Sequence, residues 1–181
     1  MDEANESVIH EQLLPLSWLI GRWTGVGTGQ YPSIEDFRFG QEVSFSTDGR
    51  PFLSYASRSW LIYDEGNRVR PLATESGYWR PRPGNQVEME LAHPTGYSEI
   101  WYGHVEITGL ENARITGARA ELRTDMVGRT ESAKDYSGGH RLYGLVEDRL
   151  LWTFDMAAVG HPITNHLAAT LNRVDDSAPG S

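Results

Sequence analysis

The chain contains no cysteine. Disulfides, iron–sulfur clusters, zinc–thiolate centres and covalent cofactor attachment through C-x-x-C-H are therefore excluded, because each needs a thiol. Any bound cofactor would have to be held by histidine, by carboxylates or by packing. Lysine is almost as scarce: fifteen of the sixteen basic residues are Arg, and Lys134 is the sole Lys. A coding bias toward GC-rich codons accounts for that without any functional appeal. Basic charge as a whole is in deficit, and a formal net charge of −9 argues against nucleic acid and against anionic membrane surfaces, both of which need clustered cations. Long apolar runs are missing too. The stretch from Leu13 to Ile20 is too short to span a bilayer and contains Pro15. The N-terminus carries Asp2, Glu3 and Glu6 in place of a basic n-region, so a cytoplasmic location is expected. There is no H-E-x-x-H pair, no G-x-S-x-G elbow and no P-loop.

What is present reads as strand. A chain of 181 residues suits one domain and buries roughly 70% of its unfolded surface, so it needs no metal or disulfide to fold. The polar segments 1–7 and 175–181 are expected to be flexible ends on a single domain over 8–174. Ile9, Leu13, Leu16 and Ile20 recur at helical spacing and predict a short helix within 8–19, with Ser7 as N-cap and Pro15 limiting its length. Ten extended runs follow, at about 22–31, 37–46, 52–63, 72–80, 87–93, 97–108, 113–123, 135–146, 149–159 and 166–174. Val87-Glu88-Met89-Glu90-Leu91 alternates apolar and polar residues, as a half-buried antiparallel strand does. Asp48-Gly49, Pro83-Gly84-Asn85 and Glu147-Asp148 supply turns. Only 124–133 breaks the pattern, and a helical turn is expected there. Without long amphipathic helices between the runs, a parallel βαβ sheet is excluded. The expected fold is all-β: a ten-stranded antiparallel up-and-down β-barrel with a short N-terminal helix, closed to hide its edges and enclosing a ligand cavity. A β-sandwich with a filled core is the alternative.

Candidate chemistry rests on six histidines: His10, His93, His104, His140, His161 and His166. In Asn165-His166-Leu167-Ala168-Ala169-Thr170-Leu171, alternation places His166, Ala168 and Thr170 on one face and Leu167, Ala169 and Leu171 on the other. Small neighbours beside the imidazole would leave room for a bulky planar ligand. The leucine face is an equally good interior, however, and period counting does not choose between them. Gly21-Arg22-Trp23-Thr24-Gly25-Val26-Gly27 resembles a nucleotide loop only superficially, because no helix follows it. Alternating glycines along a strand instead mean close backbone approach or sharp bending.

Taken together, these segments resemble the nitrobindin family. Gly21, Trp23, Gly25 and Gly27 fit its G-x-W-x-G-x-G motif. Tyr31-Pro32-Ser33-Ile34 is similar to its Y-P-T-I turn, and Glu75 to Pro83 to its E-S-G-Y-aromatic-R-P run. Ala92-His93-Pro94-Thr95-Gly96 and Met156 to Leu171 follow in the same order, so the resemblance covers about residues 13–174. It implies a barrel shaped like the fatty-acid-binding proteins, holding one non-covalent haem b per subunit near an open end. By position, His166 is the axial ligand to iron and the catalytic centre. Leu72, Ala73, His93 and Met156 would line the pocket, and Ser33 and Lys134 would contact the haem. Ser33 departs from the commoner Thr but keeps a hydroxyl. Ala73 stands where some relatives carry a second histidine, which argues against bis-histidine ligation. The activity implied is ferric iron that binds nitric oxide and isomerises peroxynitrite to nitrate. The alternative is a carrier of a fatty acid or similar apolar ligand in the same barrel. Expected partners are small molecules, with neither nucleic acid nor membrane, and a homodimer stays open.

Overall fold

Ten antiparallel strands form and close on one another in this computed structural model, which describes residues 9–175. They are β1 (Gly21–Tyr31), β2 (Ile34–Ser46), β3 (Leu53–Ile62), β4 (Arg68–Arg82), β5 (Gln86–His93), β6 (Tyr97–Glu111), β7 (Arg114–Arg129), β8 (Tyr136–Val146), β9 (Arg149–Ala158) and β10 (Thr164–Arg173). Each pairs with its neighbours in sequence, and β1 pairs with β10 to seal the barrel. Closure leaves no exposed edge along the seam, so the filled-sandwich alternative falls away. The segments expected to be flexible lie outside the described residues, except Asp175.

A 3-10 helix over Glu11–Leu19 plugs one end and buries Leu13, Leu16, Trp18 and Leu19. It begins at Glu11 and is capped by the His10 side chain, which accepts from Gln12 N–H. That differs from the expected start near residue 8, and Ser7 lies outside the described residues. Arg173 locks the plug to the seam: its guanidinium sits 4.1 Å above the Trp23 ring and donates to the Trp18 and Ile20 carbonyls. Among the described residues, no helix is long and apolar enough to cross a membrane.

The lower half of the barrel is solid. Val87, Met89 and Leu91 point inward, all essentially inaccessible, as the alternation predicts. Trp79 is fully buried there, with Phe45 at 5.5 Å and Tyr143 at 5.1 Å in edge-to-face contact. The seam explains the alternating glycines. A Cβ on Gly25 would lie 2.1 Å from the Thr170 carbonyl oxygen, and one on Gly27 would lie 2.5 Å from that of Ala168. Backbone cannot retreat from such a contact as a flexible side chain would. Gly25→Ala is therefore expected to destabilise the protein by about 1–3 kcal/mol, read as a lower denaturant midpoint with an unchanged slope.

One segment departs from expectation. Residues 124–129 continue β7, and a turn occupies only 131–133. Ile100 faces Met126 while Trp101 faces Thr124, leaving Asp125 as an extra residue in a β-bulge. The inserted residue breaks the period of two, which is why the alternation fails there.

Candidate functional site

The upper half of the barrel is hollow. A cavity of about 1230 Å3 opens at the end opposite the helical plug. Its apolar wall includes Phe37, Phe39, Leu61, Leu72, Phe154 and Met156.

His166 lies on this wall near the mouth, and a register shift puts it there. On β10, Asn165 faces Asp155 while Leu167 faces Phe154, so His166 is the unpaired extra residue of a bulge. Ala169 and Leu171 are buried, which makes the leucine face the interior. Unbroken alternation would have carried His166 to the outer wall. The bulge instead brings His166 and Leu167, consecutive residues, to the same cavity.

The imidazole is oriented at one nitrogen and open at the other. The β1–β10 ladder ends at Gly29 and Leu167, and the β1–β2 register shifts between Gly29 and Tyr31. The Gln30 carbonyl thereby accepts from His166 Nδ1–H at 2.9 Å. A carbonyl only accepts, so the proton sits on Nδ1 and Nε2 keeps its lone pair. Nε2 has no hydrogen-bond partner among the described residues. Burial pushes the imidazole pKa below its ordinary 6.5, outweighing the opposing Gln30 bond, and the neutral form prevails at neutral pH. Tyr31 at 5.5 Å, Phe154 at 6.0 Å and Phe37 at 6.4 Å surround the ring edge-on. Tyr31 also ties the mouth together: its hydroxyl accepts from Ala158 N–H at 2.9 Å and lies 3.1 Å from the Ala158 carbonyl.

The other residues singled out by sequence divide into two groups. Leu72, Ala73, His93, Lys134 and Met156 line the cavity with His166. Leu72 and Ala73 both reach it because β4 carries an extra residue opposite Ser59. Lys134 is exposed on the rim and makes no ion pair among the described residues. Ser33 is exposed in the turn after β1 and is not part of the wall. Gly21, Trp23, Gly25 and Gly27 belong to the seam and plug, with Trp23 Nε1 donating to the Leu19 carbonyl at 2.8 Å.

The cavity floor is polar, which the sequence reading missed. Arg141, 2% exposed, grips Glu75 through two bonds of 2.7 and 2.9 Å. Tyr55 donates to Glu75 at 2.5 Å, and Trp101 Nε1 donates to buried Glu99, also at 2.5 Å. His93 stands between the two carboxylates, with Nδ1 3.6 Å from Glu75 and Nε2 2.9 Å from Glu99. Both of its nitrogens lie near carboxylates, although Nε2 is buried without a hydrogen bond of acceptable geometry. Burial alone would raise the Glu75 pKa, but the Arg141 charge and hydrogen bonds, with His93 and Tyr55, hold it at about 2. The available signal was parity: Arg141 alternates with Tyr143 and Leu145 on the inward face of β8.

Among the described residues, no cluster of three or more His, Asp or Glu could hold a metal ion. Comparison with known proteins identifies the family. Residues 12–173 match the family described as THAP4-like, heme-binding beta-barrel domain. The chain belongs to that family. This member is 48% identical over 165 residues to a peroxynitrite isomerase of Nocardioides sp., covering 91% of this chain and 94% of the relative. It is 42% identical to a ferric nitrobindin-like protein of Kineococcus radiotolerans, covering 90% and 93%. The crystal structure of Rv2717c from M. tuberculosis superposes with a TM-score of 0.83 at 36% identity, covering 92% of this chain and 99% of that one. The family's cofactor is haem, and the residues present fit it: a chamber of sufficient volume with an apolar wall above its polar floor, and an imidazole with a free Nε2 on that wall.

Proposed function

We propose that the protein is a haem-dependent peroxynitrite isomerase, with haem b held by Nε2 of His166. The observation that carries this reading is the His166 tautomer. Donation from Nδ1 to Gln30 leaves an oriented, neutral donor nitrogen facing the cavity, the arrangement used by metal-ligating histidines. Leu72, Ala73 and Met156 would contact the porphyrin, and Lys134 at the rim would meet a propionate. Bound haem supplies a ferric centre able to act as a Lewis acid and to bind nitric oxide. Peroxynitrite and nitrate are isomers of equal charge, so the reaction consumes no proton or reductant. The chain's part is then to orient the nitrogen that would hold the haem and to exclude bulk water with Phe37, Phe39 and Phe154.

The floor argues against the fatty-acid carrier alternative. A buried carboxylate headgroup needs an unneutralised cation, whereas Arg141 is already matched by Glu75 and a second carboxylate, Glu99, lies nearby. The test is hemin titration of the apo protein followed by stopped-flow decay of peroxynitrite. The holo protein is expected to accelerate decay and yield nitrate, and nitric oxide is expected to shift its Soret band. Failure to bind hemin, or decay no faster than with free hemin, would refute the reading.

A further inference from the structure

We propose that Asn165 is the positioning residue for His166, acting through a side-chain ladder on the outer wall of the barrel. The inference rests on the reading of His166 as the iron ligand. The ladder crosses five adjacent strands. Glu121 on β7 contacts His140 Nε2 on β8 at 2.9 Å, and His140 Nδ1 lies 3.5 Å from Asp155 on β9. Asp155 accepts from Asn165 Nδ2 on β10 at 3.0 Å, and Asn165 Oδ1 accepts from the Gln30 side chain on β1 at 3.4 Å. The Gln30 backbone carbonyl then accepts from His166 Nδ1. Arg119 and Arg123 flank the far end, both donating to Glu121.

Asn165 is the link with two consequences. It is the cross-strand partner of Asp155 and the last residue before the bulge. Its bond to Asp155 therefore fixes the register on the mouth side, and the extra residue must fall at His166. It also holds Gln30 at the position where that residue's carbonyl has left the backbone ladder. One amide thus sets both the face that His166 takes and the acceptor that fixes its tautomer. A bulge without such a clamp is free to slide by one residue, which exchanges inside for outside. Partners behind a metal ligand typically change affinity about 10–100-fold when removed.

The experiment uses the full chain, with and without hemin. Long-range 1H–15N NMR of the apo protein reads the His166 tautomer directly, and transfer of hemin to apomyoglobin reads retention. Wild type is expected to hold the Nδ1–H form. Asn165→Ala is expected to mix the tautomers and to speed hemin transfer about tenfold. The double variant Asp155→Asn/Asn165→Asp keeps a donor opposite an acceptor and is expected to restore both. A wild-type tautomer and transfer rate in Asn165→Ala, even with a lowered Tm, would overturn the proposal, as would no recovery in the double variant. His166→Ala separates the two readings. If it binds hemin like wild type while Asn165→Ala still shifts the apo tautomer, the ladder stands and the ligand assignment falls.

Discussion

His166→Ala is expected to weaken hemin binding by about 100-fold or more while leaving the apo barrel folded. An imidazole–iron bond contributes several kcal/mol, and each 1.4 kcal/mol is about tenfold in affinity. What remains is apolar contact between the porphyrin and the cavity wall. The apo cost should be about 1 kcal/mol or less, because the half-buried ring borders a cavity and not a packed core. His161→Ala is the matched control: its ring meets Tyr31 at 5.5 Å but is not part of the cavity wall. Hemin titration of both variants, with melting curves of the apo forms, separates binding from folding. Wild-type affinity in His166→Ala with loss in His161→Ala would move the ligand to His161. The pH dependence has a definite sign. Since burial lowers the His166 pKa, protons compete for the ring at lower pH than they would for a free imidazole, so hemin retention should be flat near neutrality and fall under more acidic conditions.

Arg141→Met is expected to cost about 3–5 kcal/mol, the loss seen when one partner of a buried ion pair is removed. The variant leaves Glu75 without its bidentate partner beside a second buried carboxylate, Glu99. Replacing both members, Glu75→Leu with Arg141→Met, should recover most of the loss, because two apolar side chains carry no uncompensated charge. Acid should act on the same bond. The folded Glu75 pKa of about 2 lies below its ordinary 4.5, so its contribution is complete above pH 4.5 and is lost as pH falls toward 2. Linkage puts that contribution at about 3 kcal/mol. Denaturant unfolding at neutral pH and near pH 3 measures it, and the double variant should show a shallower acid loss. An Arg141→Met protein as stable as wild type would mean that the floor is hydrated and its charges screened.

Most of the barrel was legible because antiparallel strands write their two faces into alternate residues. Val87, Met89 and Leu91 are inaccessible while Glu88 and Glu90 are partly exposed. Turn chemistry was equally plain: Glu147 and Asp148 both take positive φ in the two-residue link between β8 and β9. The places that resisted share a physical cause. At Asp125 an extra residue reverses the alternation, so a continuous strand looked irregular. At His166 another does the same, so the local pattern alone could not say whether the imidazole faces in or out. Leu72 and Ala73 sit beside a third. The polar floor escaped for a different reason. Glu75, Glu99 and Arg141 are far apart in sequence, and charges at inward positions are acceptable only because the closed barrel brings them together.

The bulge on β10 also changes how relatives should be read. Whether a strand residue meets the lumen or the solvent is a matter of odd or even count from the nearest fixed pair, here Asn165 with Asp155 on one side and Leu167 with Phe154 on the other. An alignment that places histidine over histidine scores the residue and ignores the count. A homologue that kept the histidine but lacked the residue before it would pair that histidine with the Asp155 position, on the outward face, and present the imidazole to water. Chain length across three positions thus decides which face the histidine takes as surely as its identity decides what it can bind.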